Sequence, residues 1–352
     1  MDKNIFLETH NIKNQATGFG TFNYGLIKGL SNQNLTGLNI ALCAENTASL
    51  KKEFSNTFSY KKLTGLNRYP MFRVRDKHDL WHSVNQNIKF EPKKISKYLL
   101  TVHDVNFAEN GTNNKMSILF KEKLRRSSAI TYISEYAKAQ AHRHFDVPNV
   151  PQHIIYNGNP VDTAVIPTGF TPAVPVNRPF IFSIGAFIPK KNFEALVSMM
   201  THLPGYNLII AGNSANEYGA VVTQAIQDAG LQQRIFLTGK ISNEAKQYYY
   251  AHCTAFALAS TAEGFGLPPI EAMTYGKPVF LANRASLPEI GGTDAFYWDD
   301  FDAEYMASEF NKGMDAYASN ADGYTRAYKE RAAGFSWDKA ARHYLDVYQS
   351  LL

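Results

Sequence analysis

The chain has 352 residues, 45% apolar and 19% charged, which is enough for two hydrophobic cores and excludes a disordered protein; no run approaches the ~18 apolar residues of a membrane span. Two cysteines, Cys43 and Cys253, exclude a disulfide scaffold or a zinc ribbon, and with the polar start Met1-Asp2-Lys3-Asn4 they point to a cytoplasmic protein without a secretory signal. Residues 1–160 hold 22 Lys and Arg against 12 Asp and Glu, whereas residues 161–352 hold 14 against 19; the basic half suits an anionic partner such as a phosphorylated substrate, a membrane surface or nucleic acid, although solubility alone also accounts for it.

In chain order, the first candidate strands are Ile5–Leu7, Leu38–Leu42, Leu80–His82, Tyr98–Val102, Ala129–Ile133 and His153–Ile155. Between the first two lies a helical pattern, Phe22, Leu26, Ile27 and Leu30, preceded by Gly18 and Gly20. Lys115–Arg126 reads as a basic amphipathic helix with Met116, Leu119, Phe120 and Leu124 on one face. It suits either an anionic lipid interface or a core-facing helix with solvated lysines. The prolines at 167, 172, 175 and 179 make the stretch from Pro160 to Pro179 the linker. Then Phe180–Ile184, Leu208–Ala211, Arg234–Leu237, Ala255–Leu258 and Pro278–Leu281 alternate with helical patterns. Short apolar strands alternating with helices predict a parallel sheet, so the fold class is α/β with two Rossmann-like domains. A central cleft is expected between them, where strand ends bind ligands.

The strongest chemical signal is Glu263-Gly-Phe-Gly-Leu-Pro-Pro-Ile-Glu271. Gly264 and Gly266 let backbone approach a ligand, and the following helix start offers free N–H groups to an anion. Glu263 and Glu271 bracket that site and can accept hydroxyl hydrogen bonds. Read alone, the segment also fits a glycine-rich turn with surface glutamates. Metal constellations do not stand out: His142 and His144 do not share a helix face, and Asp299, Asp300 and Asp302 read as a solvated loop.

This segment resembles the glutamate, seven residues, glutamate motif of the retaining glycosyltransferases of family 4 (glycosyl transferases group 1), which have the GT-B fold. Ser286-Leu-Pro-Glu-Ile290, Ile184-Gly-Ala-Phe-Ile-Pro-Lys-Lys-Asn192, Thr17-Gly18-Phe-Gly20, Thr101-Val-His103-Asp104, Ile155-Tyr-Asn157-Gly158 and Phe335-Ser-Trp337 are similar to further family segments along the chain. The resemblance implies an acceptor domain over residues 1–165, completed by a terminal helix at 337–352, and a nucleotide-sugar domain over 175–336. It implies catalytic roles for His103, Glu263 and Lys191. Donor contacts would come from Gly18, Gly20, Lys190, Lys191, Gly264, Phe265, Gly266, Leu267 and Glu271, the last at the ribose. Asn192 can cap the helix after the lysines, and His82 is expected to be structural. No metal and no cofactor is expected.

The motif variants are closest to those of bacterial polysaccharide mannosyltransferases. GDP-mannose is the favoured donor, with UDP-hexoses next. The acceptor would be a glycan or a polyprenyl-diphosphate-linked sugar, with peripheral membrane contact and no nucleic acid. One departure is Ala186, where the family commonly has arginine; Lys190 is its candidate substitute. The alternatives are a catalytically silent subunit of the same fold, or another enzyme on it such as a nucleotide-sugar epimerase or a disaccharide phosphorylase.

Overall fold

The computed structural model describes every residue except 1, 15, 16, 95, 110, 162, 167 and 175. Met1 of the expected N-terminus and Pro167 and Pro175 of the expected linker lie outside the described residues. The chain divides into two compact units, Met1–Pro160 with Phe335–Leu352, and Val161–Gly334.

The first unit runs β1 (Lys3–Glu8), α1 (Gly18–Ser31), β2 (Leu38–Ala44), α2 (Ala48–Phe54), β3 (Ser59–Lys62), β4 (Leu80–Ser83), β5 (Lys97–Val102), α3 (Lys115–Arg126), β6 (Ala129–Tyr132), α4 (Glu135–His144) and β7 (Gln152–Ile154). Among the described residues its seven strands are ordered β3-β2-β1-β4-β5-β6-β7, all parallel. The second unit runs β8 (Phe180–Ile184), α5 (Phe193–Met199), β9 (Asn207–Ala211), α6 (Glu217–Asp228), β10 (Ile235–Gly239), α7 (Asn243–His252), β11 (Ala255–Leu258), α8 (Leu267–Thr274), β12 (Val279–Ala282), α9 (Leu287–Gly291), β13 (Phe296–Trp298), α10 (Ala303–Ser319) and α11 (Ala321–Ala333). Its order is β10-β9-β8-β11-β12-β13, again all parallel. The last helix, α12 (Trp337–Leu351), belongs to the first unit.

Each sheet therefore starts in the middle, winds outward, then returns to the other side of its first strand. The point of reversal is β1/β4 in one unit and β8/β11 in the other, and in such sheets ligands bind outside the strand ends at that point. Parallel strands covered on both faces are largely apolar, and Phe180, Ile181, Phe182, Leu208, Ile209 and Ile210 are all buried. α12 docks on α1 because Gly25 lacks a side chain: a Cβ there would lie 2.1 Å from the Trp337 ring. Tyr344 and Tyr348 of α12 are buried under the first sheet, and the Tyr348 hydroxyl lies 2.7 Å from Nδ1 of His82.

Candidate functional site

In the second unit the chain leaves β8 at Gly185 and makes a short 3-10 turn over Pro189–Lys191. Asn192 occupies the N-cap position of α5 in the left-handed region, with φ 51° and ψ 44°. Its side chain makes no capping hydrogen bond, contrary to the expectation from sequence. A capping side chain normally needs extended backbone at that residue, and the turn through Lys190 and Lys191 denies it. The Lys190 carbonyl accepts from Thr261 N at 2.8 Å, which ties this turn to the end of β11. The Lys191 ammonium is paired with Oε1 of Glu263. Their side chains are 10% and 14% exposed, so the pair is mostly desolvated but not sealed.

After Glu263 the backbone turns into α8. Gly266 sits at the N-cap with φ 111°, a conformation that side chains with a Cβ rarely adopt. The Ser286 hydroxyl, buried in the next loop, reaches the carbonyls of Glu263 at 3.0 Å and Phe265 at 2.7 Å. That contact holds the Glu263–Phe265 backbone in place from outside the motif. Phe265 is buried, whereas Gly264, in the turn, and Leu267, the first residue of α8, are half-buried. The helix ends at Gly276, φ 67°, where the N–H of Gly276 bonds Met273 O and that of Lys277 bonds Ala272 O. This is the glycine-terminated helix end that spares two carbonyls from going unpaired.

Glu271 faces into the unit from α8. Its Oε1 accepts from Lys246 Nζ at 2.9 Å and its Oε2 from the Tyr250 hydroxyl at 2.8 Å. Lys246 and Tyr250 are four residues apart on α7 and so share one helix face. Sequence reasoning missed both, although that spacing was available as a signal. Burial and the neighbouring Glu271 carboxylate push the Tyr250 phenol well above its usual range, so it stays a donor.

The remaining expected residues lie in the first unit. Gly18 and Gly20 were expected in a loop ahead of α1; they are instead the first and third residues of the helix. Thr17 is extended at the N-cap and accepts from Gly20 N at 3.3 Å, which starts the helix earlier than the apolar pattern suggests. His103 follows β5 and is buried, with Nε2 2.7 Å from the Val84 carbonyl and the rings of Phe19 and Phe22 at 4.8 and 4.6 Å. Burial lowers its pKa to about 4. The ring is therefore neutral near pH 7. A carbonyl can only accept, so Nε2 carries the proton and Nδ1 has the lone pair. His82, expected to be structural, is buried between the Tyr348 and Thr101 hydroxyls with its pKa lowered to about 3.

A further group at the β1/β4 strand ends was not anticipated. Glu8 ends β1 fully buried; burial raises its pKa to about 7, its Oε1 accepts from His10 N at 2.6 Å, and Oε2 has no hydrogen-bond partner among the described residues. Lys123 of α3 reaches Glu91 at 3.0 Å and the Ser83 hydroxyl at 2.8 Å. Glu8 was visible in the sequence as a carboxylate closing an apolar strand. Phe120 and Leu124 pack into the core, so the apolar face of α3 points inward.

Among the described residues, no group of three or more His, Cys, Asp or Glu side chains is placed to hold a metal ion. No helix among them is long and apolar enough to cross a membrane.

Residues 170–329, which contain the whole Lys191, Glu263 and Glu271 site, match the family model "Glycosyl transferases group 1". The chain carries a group 1 glycosyl transferase domain. It is 25% identical over 305 residues to the O-antigen chain mannosyltransferase B of Escherichia coli, covering 81% of this chain and 78% of that protein. It is 28% identical over 179 residues to the serotype-specific mannosyltransferase WbdA of Escherichia coli, covering 49% of this chain. This chain spans about a fifth of WbdA, 22% of its length. Anabaena Alr3699/HepE, solved in complex with UDP-glucose, superposes with a TM-score of 0.75 at 15% identity over 99% of each chain. That likeness shows the shared GT-B fold of two Rossmann-like domains.

Proposed function

We propose that this group 1 glycosyltransferase moves a hexose, mannose by preference, with retention, from a nucleotide sugar to a glycan or lipid-linked acceptor in surface polysaccharide assembly. The observation that carries the reading is the Lys191–Glu263 pair at the reversal point of the second sheet, beside the start of α8, inside the matched domain. GDP-mannose is favoured because the relatives are named as mannosyltransferases; UDP-hexoses are second, in line with the UDP-glucose named for the solved neighbour.

In this reading the second unit binds the donor and the first the acceptor. Glu271, oriented by Lys246 and Tyr250, accepts from the ribose hydroxyls. Glu263 uses one oxygen to hold Lys191 and the other to accept from the transferred sugar. An ammonium has three donors, so Lys191 can keep Glu263 and also bind the diphosphate. The bond from the anomeric carbon to the diphosphate oxygen breaks, and one to the acceptor oxygen forms on the same face. The acceptor proton passes to the leaving phosphate. Negative charge grows on the diphosphate, and Lys191, Lys190 and the N–H groups around Phe265 to Leu267 stabilise it. No metal step is needed in this scheme. Gly18 and Gly20, at the start of α1, bring backbone close to the donor phosphate or acceptor. His103, with its lone pair on Nδ1, accepts from a sugar or acceptor hydroxyl. The enzyme works in the cytoplasm, at the inner face of the plasma membrane.

A thermal-shift panel of GDP, UDP, ADP and dTDP sugars is the first test. A specific ligand at a hundredfold excess over Kd stabilises by about 2.7 kcal/mol. The expected outcome is a response to GDP-mannose, followed by transfer that survives exhaustive chelation and gives product of unchanged anomeric configuration. A flat response to every nucleotide favours the silent subunit, the reading that Ala186 supports.

A further inference from the structure

The stretch between β3 and β4 exposes an unusual amount of apolar surface. Leu66 is 55% exposed, Tyr69 61%, Met71 71% and Phe72 47%. They stand on two 3-10 turns, Gly65–Arg68 and Pro70–Phe72. The turns are anchored at their base. Asn67 accepts from Thr64 N at 2.7 Å and donates to Phe72 O at 2.7 Å. Val74 is buried, its N–H bonded to Glu91 O at 3.3 Å and its carbonyl accepting from Lys93 N at 2.7 Å. The apolar tips are thus presented by a fastened scaffold.

The patch continues onto α3. Arg73 lies 4.0 Å from Glu122 of that helix. Ile118, one turn before Glu122 and so on the same face, is 59% exposed. The surroundings are basic: residues 59–78 contain Lys61, Lys62, Arg68, Arg73, Arg75 and Lys77 against one acid, Asp76. The nearby acids are engaged by cations: Asp76 by Lys61, Glu45 by Lys13 and Arg68, and Glu122 by Arg126 and Arg73. The patch therefore keeps an excess of positive charge.

We propose that this patch docks the protein on an anionic lipid bilayer. Leu66, Tyr69, Met71, Phe72 and Ile118 enter the interfacial region, and the surrounding Lys and Arg reach the headgroups. The proposal deepens the reading of a membrane-associated transferase, on which it rests, by naming the surface. Charge complementarity chooses the occupant. A second copy meeting the same face would set six cations against six, which disfavours self-association. The apolar face of α3 does not serve, because Phe120 and Leu124 are in the core; the contact falls to its opposite side and to the turns.

The test uses the full chain with vesicles of phosphatidylcholine, with and without phosphatidylglycerol, read by flotation. The wild type should float with anionic vesicles and not with neutral ones, and binding should weaken about tenfold or more as salt rises from about 0.05 M to about 0.5 M. Met71→Ser with Phe72→Ser should weaken binding about tenfold or more. Arg75→Glu with Lys77→Glu should do the same. Transfer to a water-soluble acceptor should be unchanged in these variants, so loss of docking is read separately from loss of the transferase reading. Should the turn variant unfold, Ile118→Ser, on a different element, gives the same readout. The proposal is overturned if the wild type ignores anionic vesicles. It is equally overturned if the variants float as the wild type does, or if sedimentation shows the patch instead holding two copies together.

Discussion

The two sheets share one winding order, yet their reversal points are finished differently. At β8/β11 the Lys191–Glu263 pair remains 10% and 14% exposed, next to a helix N-terminus. At β1/β4 the corresponding strand ends carry Glu8 with no access to solvent, and beside them lies Lys123–Glu91, 1% and 2% exposed. The difference teaches that topology decides where charged side chains meet, and desolvation decides what they can do there. A nearly sealed pair is a structural commitment, because removing one partner strands the other in a low dielectric. A partly open pair can exchange part of its contact for an incoming ligand.

The largest expected effect breaks the sealed side. Lys123→Met should cost about 3–5 kcal/mol of stability, measured by urea unfolding, because among the described residues Glu91 then keeps Arg126 at 3.5 Å and the Tyr98 hydroxyl at 3.0 Å. Loss of less than about 1 kcal/mol would show that the two pairs do not differ in the way argued.

On the open side, substitutions should act on function with little change in stability. Lys191→Ala and Glu263→Ala should lower kcat/KM about ten- to 150-fold through turnover, the equivalent of one charged hydrogen bond of about 1.5–3 kcal/mol. Glu271→Ala should show a similar loss in calorimetric affinity for the nucleoside diphosphate alone. If Glu263→Ala loses that affinity and Glu271→Ala keeps it, the two roles are reversed.

The pH dependence sharpens the comparison. The folded pKa of Glu8 is raised from 4.5 to about 7, so the folded state binds more protons than the unfolded state between those values. Stability from this group is then lost as pH rises from about 4.5 to about 7. His82 and His103, lowered from 6.5 to about 3 and about 4, act in the opposite sense and lose stability as pH falls below about 6.5. Glu8→Gln should match the wild type near pH 4.5 and exceed it by about 3 kcal/mol near pH 8, in paired denaturation curves. Equal curves at both pH values would remove Glu8 from this account.

The smallest effect is expected at Ser286→Ala. Losing a neutral hydrogen bond to the Glu263–Phe265 backbone should cost about 1 kcal/mol and loosen the site, visible as a modest drop in kcat by steady-state assay.

Much of this was written in the chain itself. Apolar runs such as Phe180–Ile184 and Ala255–Leu258 announced buried parallel strands, because a strand covered on both faces has little room for polar residues. Glu263, Gly266 and Glu271 announced the turn and helix start, because only certain residues serve a left-handed N-cap and an anion site. Two edge strands escaped notice. Ser59-Tyr-Lys-Lys62 is polar, as an edge strand can be, and Phe296–Trp298 is three residues beside an acidic loop.

What the tertiary structure decided is which partner each charge meets. Lys191 finds Glu263 across 72 residues, and Lys246 and Tyr250 fix Glu271 from another helix. Lys123, one of five cations on a helix that reads as basic and amphipathic, is turned inward to Glu91. Local pattern determines strand, helix and turn through steric and hydrophobic preferences acting over a few residues. The pairing and the desolvation of charges depend on chain segments far apart in sequence, and only the folded packing sets them.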